Sequence, residues 1–577
     1  MILLFGGTTE GRKAIKELEE AGKPYFYSTK TGEQDVVLQH GQRTDGAMDT
    51  EAMVLFCKQH GIRLLIDAAH PFAAQLHQTV ATAAALLRLP AIRYERIFPP
   101  RSDDITWCDN YEQIPSDMHV LLATTGVQSI AKLKHLEEKG VTVYYRILPR
   151  ESSLQLARKQ GAHEERLCYY HEGEDECELL ESLHADALLL KESGITGGFV
   201  EKTAAARQKG VRIIALKRPP TPAIFHKVNG EHGLRRMVEK LLPDYYDLHS
   251  GLTTGTCATA AAKAAYIAMK THKRPTQVDV TLPNGETIAV DVHYGEGYAY
   301  VVKDSGDDPD VTNGLQIRAD VSESDQFEIC GGEGIGTITV AGFDYPPGSP
   351  AINKVPRQML RQNIDDAVRI TISVPGGAAV ASRTFNPRLG IEGGISIVGV
   401  SGIIKPFSEE AFVDSIRKCM QVAKASGSRH VVINSGAKSE NILRSLFADL
   451  PPQAFVQYGN YIGDTIKMAA ELAIEHVTLG VMLGKAVKLA AGQLDTHSRK
   501  GVMDKTFISQ LLREADCDTD CIRQLTLARE LWDMIPREKK SVFAQVVISH
   551  CQAHCKSLLP HGELTILLID EKGEIYR

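Results

Sequence analysis

Several short motifs in this chain set glycines, hydroxyls or charged residues directly after an apolar run, where a strand gives way to a turn. In Ile2-Leu3-Leu4-Phe5-Gly6-Gly7-Thr8-Thr9-Glu10-Gly11 the glycines let the backbone approach a pyrophosphate, and the amides and dipole of the following helix can bind it. Gly6, Gly7, Thr8 and Thr9 are therefore candidate cofactor contacts, although a tight turn accounts for the same residues. A second apolar run ends in Ser28-Thr29-Lys30. It supplies hydroxyls and a cation but no acid for a ribose 2′-hydroxyl, so Lys30 leans the reading toward NADPH rather than NADH. Leu65-Ile66-Asp67-Ala68-Ala69-His70-Pro71-Phe72-Ala73 sets His70 at a strand end. There it can donate to a cofactor phosphate or a substrate carboxylate, transfer a proton as the candidate catalytic residue, or only hold its loop. Thr124-Thr125-Gly126 and Lys191-Glu192-Ser193-Gly194 follow further strands. Thr125 and Gly126 are candidate cofactor contacts; Lys191 and Ser193, with Arg218 further on, are candidate partners of a substrate anion.

The second half has its own set. Gly251-Leu252-Thr253-Thr254-Gly255-Thr256 opens an alanine-rich stretch predicted helical to about Lys270. Thr253, Thr254 and Thr256 can cap that helix or, with its amides, bind a carboxylate arm. Lys303-Asp304-Ser305-Gly306-Asp307-Asp308-Pro309-Asp310 lacks calcium-loop spacing and reads as a hydrogen-bonded turn. Arg357, Arg383 and Arg388, with Lys354 and Lys405, flank or lie in a glycine-dense region; arginine pairs carboxylates through two parallel bonds, which suits a polyacidic substrate. Cys517, Cys521, His550, Cys551, His554 and Cys555 fit no common zinc spacing and read as helix positions, so no metal is assigned.

These residues need elements to hold them. Apolar runs at 2–5, 25–28, 64–68, 119–123, 141–145, 187–190 and 211–216 alternate with amphipathic stretches such as 12–21 and 129–139. That alternation predicts βαβ units and a mostly parallel sheet. The acidic stretch 171–181 is predicted to be a solvated surface helix. A boundary falls near Pro243, giving domains 1–245 and 246–577. Residues 276–282 and 286–292 flank Pro283-Asn284-Gly285 and read as a hairpin. After residue 408 the βα alternation returns, with strands at 430–434, 455–458, 476–481 and 564–570. The fold class is α/β: two Rossmann-like lobes in the N-terminal half, followed by an α+β plus α/β region.

With 577 residues the chain exceeds one ordinary core. A formal charge of −7 argues against a general nucleic-acid binder. No apolar run approaches the ~20 residues a membrane span needs, and eleven scattered cysteines fit a reducing cytosol. The expected partners exclude nucleic acid and membrane.

Taken together, Gly6-Gly7, Asp67 to Ala73, Thr124 to Gly126, Lys191 to Gly194, Glu201-Lys202 and Lys217-Arg218-Pro219 occur in the order found in precorrin-6A reductases, which the first ~240 residues resemble, especially the cobalt-precorrin-6A branch. The resemblance implies two lobes holding NADPH or NADH and hydride delivery to a tetrapyrrole. Thr253 to Thr256, Lys303 to Asp310, Val374-Pro375-Gly376-Gly377, Thr384 to Gly394, Gln457 to Gly463, Gly484-Lys485 and Thr496-His497-Ser498 similarly resemble the cobalt-precorrin-5B C1-methyltransferase family. That implies S-adenosylmethionine as methyl donor and a cobalt-precorrin substrate. Topology then places this cofactor at strand ends near Asn434, Ser435, Gly436 and Asn460, with Asp464 or Glu440 accepting from ribose hydroxyls. The rival expectation is a tetrapyrrole carrier or sensor that performs neither reaction.

Overall fold

The computed structural model describes every residue except 31–33, 172, 498–503, 520–521 and 523–524. The chain divides into two compact units, Met1–His249 with Asp279–Ala289, and Ser250–Val278 with Val290–Arg577.

The first unit holds β1 (Ile2–Phe5), β2 (Tyr25–Thr29), β3 (Gly41–Asp45), β4 (Leu64–Asp67), β5 (Ala91–Glu95), β6 (Ile105–Cys108), β7 (Val120–Ala123), β8 (Thr142–Ile147), β9 (Leu167–Tyr169), β10 (Ala187–Lys191), β11 (Arg212–Leu216) and β12 (His226–Asn229). They form two six-stranded sheets, ordered β12-β5-β4-β1-β2-β3 and β6-β11-β10-β7-β8-β9. Every neighbouring pair in both is parallel. From a central strand, β1 or β7, each lobe builds outward to one side and returns on the other with β4 or β10. The loops after these paired strands therefore diverge around a crevice at the carboxyl edge. The chain crosses between lobes twice: β6 precedes the other strands of its sheet, and β12 follows the second lobe to complete the first.

The central strands are apolar and fully enclosed; Ile2, Leu3, Leu4, Leu64, Leu65 and Ile66 expose no surface. Thr8 caps the helix Thr9–Glu19, its hydroxyl accepting from the Gly11 amide at 3.1 Å. The carboxylate of Glu286, on the hairpin tip belonging to this unit, accepts from the Glu231 and His232 amides and so caps the helix Gly230–Leu241. The acidic stretch differs from expectation: the helix spans only Glu176–Ser182, Asp175 caps it, and Glu174 and Glu176 turn back onto the buried Arg146. Residue 172 lies outside the described residues.

At the end of β4 the carboxylate of Asp67, with no exposed surface, binds Arg93 from β5 at 2.8 Å and His77 at 2.5 Å. Burial pushes this carboxyl up, but the His77 hydrogen bond and the Arg93 charge outweigh burial and hold it below the usual range. Arg93 also donates to the Asp67 and Ala69 carbonyls, and the Ala69 amide donates to Asp67. The loop carrying His70 is thereby fixed.

In the second unit the helix Thr254–Thr271 packs on strands Ala299–Val302 and Gln316–Glu323. They belong to a five-stranded sheet that is antiparallel but for its last pair. The hairpin strands are Gln277–Thr281 and Thr287–Asp291. A second five-stranded sheet is ordered Phe455–Gln457, His430–Asn434, His476–Met482, Glu563–Ile569 and Ile575–Tyr576, all parallel except the final antiparallel pair. The whole is the α/β class read from the sequence, with an α+β region between the two lobes and the last α/β sheet.

Breaking a buried ion pair from one side leaves the other charge uncompensated, at a cost of about 3–5 kcal/mol. Arg93→Met is therefore expected to lower the unfolding free energy of the first unit, read from urea denaturation, by about that amount. A change below ~1 kcal/mol would show that His77 alone suffices to hold Asp67.

Candidate functional site

In the first unit the crevices of the two lobes meet. A cavity of about 210 Å³ is lined by His70 from the loop after β4, Thr124, Thr125 and Gly126 after β7, Lys191 and Ser193 after β10, and Gly197, Phe199 and Lys202 beyond. Five residues marked in the sequence as His70, Thr125, Gly126, Lys191 and Ser193 thus share one space. Lys202, Phe199 and Thr124 were not singled out, yet complete it.

His70 is held as a hydrogen-bonding ring. Its Nδ1 accepts from the Phe72 amide at 3.2 Å, so the neutral tautomer carries its proton on Nε2. Burial and then the nearby Arg96 and Lys191 charges lower its pKa to about 3. A ring neutral at ordinary pH is a poor proton donor, so the structure turns the nomination of His70 as proton donor toward donation of a hydrogen bond. Lys191 lies over the Phe72 ring at 5.3 Å, and burial, then Lys132, lowers its pKa to about 8. Burial likewise lowers that of Lys202.

The glycine turn after β1 is packed from within. A Cβ on Gly6 would lie 2.3 Å from Tyr27, and the Gly7 amide donates to the Tyr27 hydroxyl at 2.9 Å. Gly7, with φ +92° and open space around it, is the position at which a ligand can approach the backbone. Thr8 donates to the Ala68 carbonyl at 2.7 Å while capping, and Thr9 begins the helix. Glu10, in the first turn, is buried against Arg96 at 2.8 Å and accepts from Thr196 across the lobes. Burial pushes its carboxyl up, but Arg96 and Thr196 hold it below the usual range.

At the end of β2, Lys30 is exposed. The structure corrects one expectation here: an acid is present. Asp45, at the end of β3, accepts from Thr29 at 2.7 Å and pairs with Arg43 at 3.1 Å. β3 is polar and carries no apolar signal, which is why sequence reasoning missed it. Arg218 is also not where it was expected to act. It pairs with Glu192 at 2.8 Å beside Arg101 and lies 3.7 Å over Phe98, bracing a segment that joins the lobes.

In the second unit Thr253, Thr254 and Thr256 turn inward. Thr253 accepts from the Thr256 amide, Thr254 donates to the Val398 carbonyl at 3.2 Å, and Thr256 donates to the Gly402 carbonyl at 2.6 Å. These hydroxyls hold the 396–402 loop, in place of the anion the sequence suggested. Lys303, also enclosed, binds Ser305 and Asp310, so the acidic loop is a turn built around one buried ammonium. Arg388 is tied to Glu440, which also receives Arg444 and Gln457. Arg357 donates to the Ile352 carbonyl and covers Tyr345, whereas Arg383 is exposed.

The sheet around His430–Asn434 reverses strand order between that strand and His476–Met482, which leaves a crevice where residues 434–436 leave the sheet. Asn434 is buried, accepting from the Gly436 amide and donating to the Val456 carbonyl. Ser435 approaches Ser439, and Gly436 opens on free space. Asp464 is exposed in the first turn of Ile462–Glu471. The Asn460 carbonyl accepts from Thr496; Ser498 of that motif lies outside the described residues. Lys485, missed as a site residue, donates to the Gly459 carbonyl, and burial, then Lys488, lowers its pKa to about 8. Behind Lys488 a cavity of about 370 Å³ is lined mainly by Val487, Ala491, Phe507 and Leu527. Cys551 and Cys555 are buried on one helix face, Cys551 donating to the Ala486 carbonyl, while His550 bonds Glu514. These are packing positions; Cys521 lies outside the described residues.

Comparisons with known proteins divide near the same boundary, except that the hairpin segment Asp279–Ala289 of the first unit falls within the second match. Residues 1–234 match the family model described as precorrin-6x reductase CbiJ/CobK, residues 243–406 that of CbiD, and residues 495–576 that of the CbiD C-terminal domain. A cobalt-precorrin-5B C(1)-methyltransferase of Prosthecochloris aestuarii is 40% identical over 346 residues, which is 56% of this chain and 94% of that protein. The one from Geobacillus kaustophilus is 39% identical over 55% of this chain and 91% of its own length. A solved CobK precorrin-6A reductase aligns at 22% identity with 42% of this chain and 97% of its own, with a TM-score of 0.35. The chain therefore belongs, through its C-terminal unit, to the cobalt-precorrin-5B C(1)-methyltransferase family of cobalamin biosynthesis, and carries ahead of it a region of the precorrin-6x reductase family.

Proposed function

We propose that residues 246–577 methylate C1 of cobalt-precorrin-5B with S-adenosylmethionine and that residues 1–245 reduce the product, cobalt-precorrin-6A, with NADPH or NADH to cobalt-precorrin-6B. The observation that carries the reductase half is the convergence of two switch-point crevices on one cationic cavity. The two reactions are consecutive in this reading, and joining them on one chain raises the local concentration of the intermediate at the second site.

For the nicotinamide nucleotide the fit rests on Gly7, open to close approach, and on Lys30 and Arg43 beside the end of β2. When bound, the nucleotide supplies the hydride. Solvent would supply the proton that completes the two-hydrogen addition, and the chain's own residues bind and orient. Lys191 and Lys202 attract anionic groups, His70 donates from Nε2, and Phe72 and Phe199 give the cavity apolar walls. At 210 Å³ the cavity is smaller than the ~300–1,000 Å³ of sites that enclose a drug-sized ligand. A whole macrocycle does not fit inside it in this arrangement; it would lie across the mouth or part the lobes, which Glu10–Thr196 and Lys191–Phe72 link directly. For S-adenosylmethionine, the fit rests on Gly436, open to approach, and on the exposed carboxylate of Asp464. When bound, it supplies the methyl group. The chain contributes positioning and desolvation, with Arg383 and Arg357 the candidates for the acidic fringe of the substrate.

Incubating the full chain with cobalt-precorrin-5B and S-adenosylmethionine is expected to add one methyl by mass, and adding NADPH to add two hydrogens. Binding without either mass change would leave a carrier. Coenzyme choice follows from the end of β2. Lys30→Ala combined with Arg43→Ala should lower kcat/KM for NADPH about tenfold, equivalent to ~1.4 kcal/mol, and leave NADH unaffected. Equal losses for both nucleotides would remove these residues from 2′-phosphate recognition. Because His70 is neutral above about pH 3, His70→Asn should raise the KM of the reductase and leave the shape of its pH–rate profile unchanged. An inflection between about pH 6 and 7, the range of an ordinary imidazole, that His70→Asn abolishes would restore the proton-donor role.

A further inference from the structure

The cavity of the first unit contains an electrostatic imbalance. Lys191 and Lys202 both line it, and among the described residues neither ammonium has an ion-pair or hydrogen-bond partner. Lys191 lies over the face of Phe72, and Lys132 adds a third positive charge to its surroundings. Lys202 sits in the first turn of the helix Phe199–Lys209 and folds back over its cap, with Nζ 3.6 Å from where a Cβ on Gly198 would stand. That cap, Gly198, has no side-chain hydrogen bond to the helix amides. A helix N-terminus carries a partial positive charge and ordinarily attracts acids; here an ammonium is held against it beside Glu201, and Glu201 and Glu176 act on that ammonium without pairing with it.

Hydroxyls around the cavity do not relieve this. Ser193 donates to the Gly197 carbonyl at 3.1 Å and Thr124 to the Leu189 carbonyl at 3.1 Å. Thr125 bonds Ser129, whose own proton goes to the Gly126 carbonyl. The side-chain donors left for the cavity are thus the two lysines and His70 Nε2, and only the lysines carry charge. Two enclosed acids of this unit are matched, Asp67 by Arg93 and Glu10 by Arg96. Like charges gathered in a partly dry space repel strongly unless an anion lies between them.

We propose that Lys191 and Lys202 form a binding site for one oxyanion, carried into the cavity by a ligand as a phosphate or a carboxylate. This rests on the reductase reading above for the identity of the ligand, but not for the existence of the site. A phosphate would come from the nicotinamide nucleotide and a carboxylate from an acidic arm of the macrocycle. Either has the size for a 210 Å³ cavity that excludes the macrocycle itself.

Inorganic phosphate titrated into the full chain tests the site without reference to the reaction. Trp107 stacks on the cavity-lining Phe199 at 6.0 Å, so its emission reports occupancy. A saturable change is expected in the native chain, at least tenfold weaker in Lys191→Met and Lys202→Met, and retained in Lys202→Arg. No saturable change in the native chain, or equal affinity in all folded variants, overturns the proposal. Calorimetry and kinetics then identify the source. Weaker NADPH binding alone in Lys202→Met marks the 2′-phosphate, weaker binding of NADPH and NADH together marks the pyrophosphate, and an unchanged nucleotide affinity with a raised KM for cobalt-precorrin-6A marks a carboxylate arm. If phosphate binds as expected but the native chain oxidises no NADPH, the reductase reading fails and the oxyanion site stands.

Discussion

A parallel strand cannot be joined to its neighbour without a crossover, and the architecture of the first unit follows from that constraint. A sheet that grows from its middle must send one crossover to each side, and where the direction reverses, two loops separate at the carboxyl edge. This happens between β1 and β4 and again between β7 and β10. His70, Thr125, Lys191 and Ser193 come from three of these four loops. No pairwise attraction assembled them; the crossover rule delivers such loops to the same edge in each sheet, and the two connecting segments turn the edges toward one cavity. The second unit applies the rule once more, between His430–Asn434 and His476–Met482.

The parts of this arrangement that could be read from the sequence are those whose environment is uniform. β1, β4 and β10 are enclosed on both faces and therefore appear as unbroken apolar runs. β3, Gly-Gln-Arg-Thr-Asp, and β12, His-Lys-Val-Asn, are edge strands with much of their surface in water. Their membership is decided by hydrogen bonds to a single neighbour, which leaves no periodic trace. The consequence is local and specific. Without β3 there is no way to know that Asp45 and Arg43 stand beside Thr29, so the chemistry at the end of β2 was read from half of its residues.

Side chains were legible by place and less so by role. His70 and Lys191 were correctly set at strand ends, but whether a histidine there is charged depends on Arg96 and on burial, neither of which adjacency in sequence discloses. The threonines 253, 254 and 256 carry the composition of an anion-binding helix start, yet a loop 144 to 146 residues later supplies carbonyls that take the protons of Thr254 and Thr256. Lys202 did leave a signal. Once the helix is known to begin at Phe199, a lysine at its start runs against the dipole, only partly compensated by the neighbouring Glu201, and a residue that breaks a local rule is one to examine for function.

That criterion separates structural from functional charge throughout the molecule. Buried ions persist in proteins when matched, and the match can be inspected. Asp67 with Arg93 and His77, Glu10 with Arg96, and Lys303 with Asp310 are each closed sets; they fix loops, and a ligand entering there would have to displace a partner. Lys191 and Lys202 are an open set. Their desolvation opposes their charge, as the lowered pKa of both indicates; Glu176 and Glu201 offset it for Lys202 only in part, and no acid among the described residues offsets it for Lys191. A fold under selection for stability alone would lose such a pair to any neutral substitution, so its presence is best explained by an anion that the chain does not itself supply.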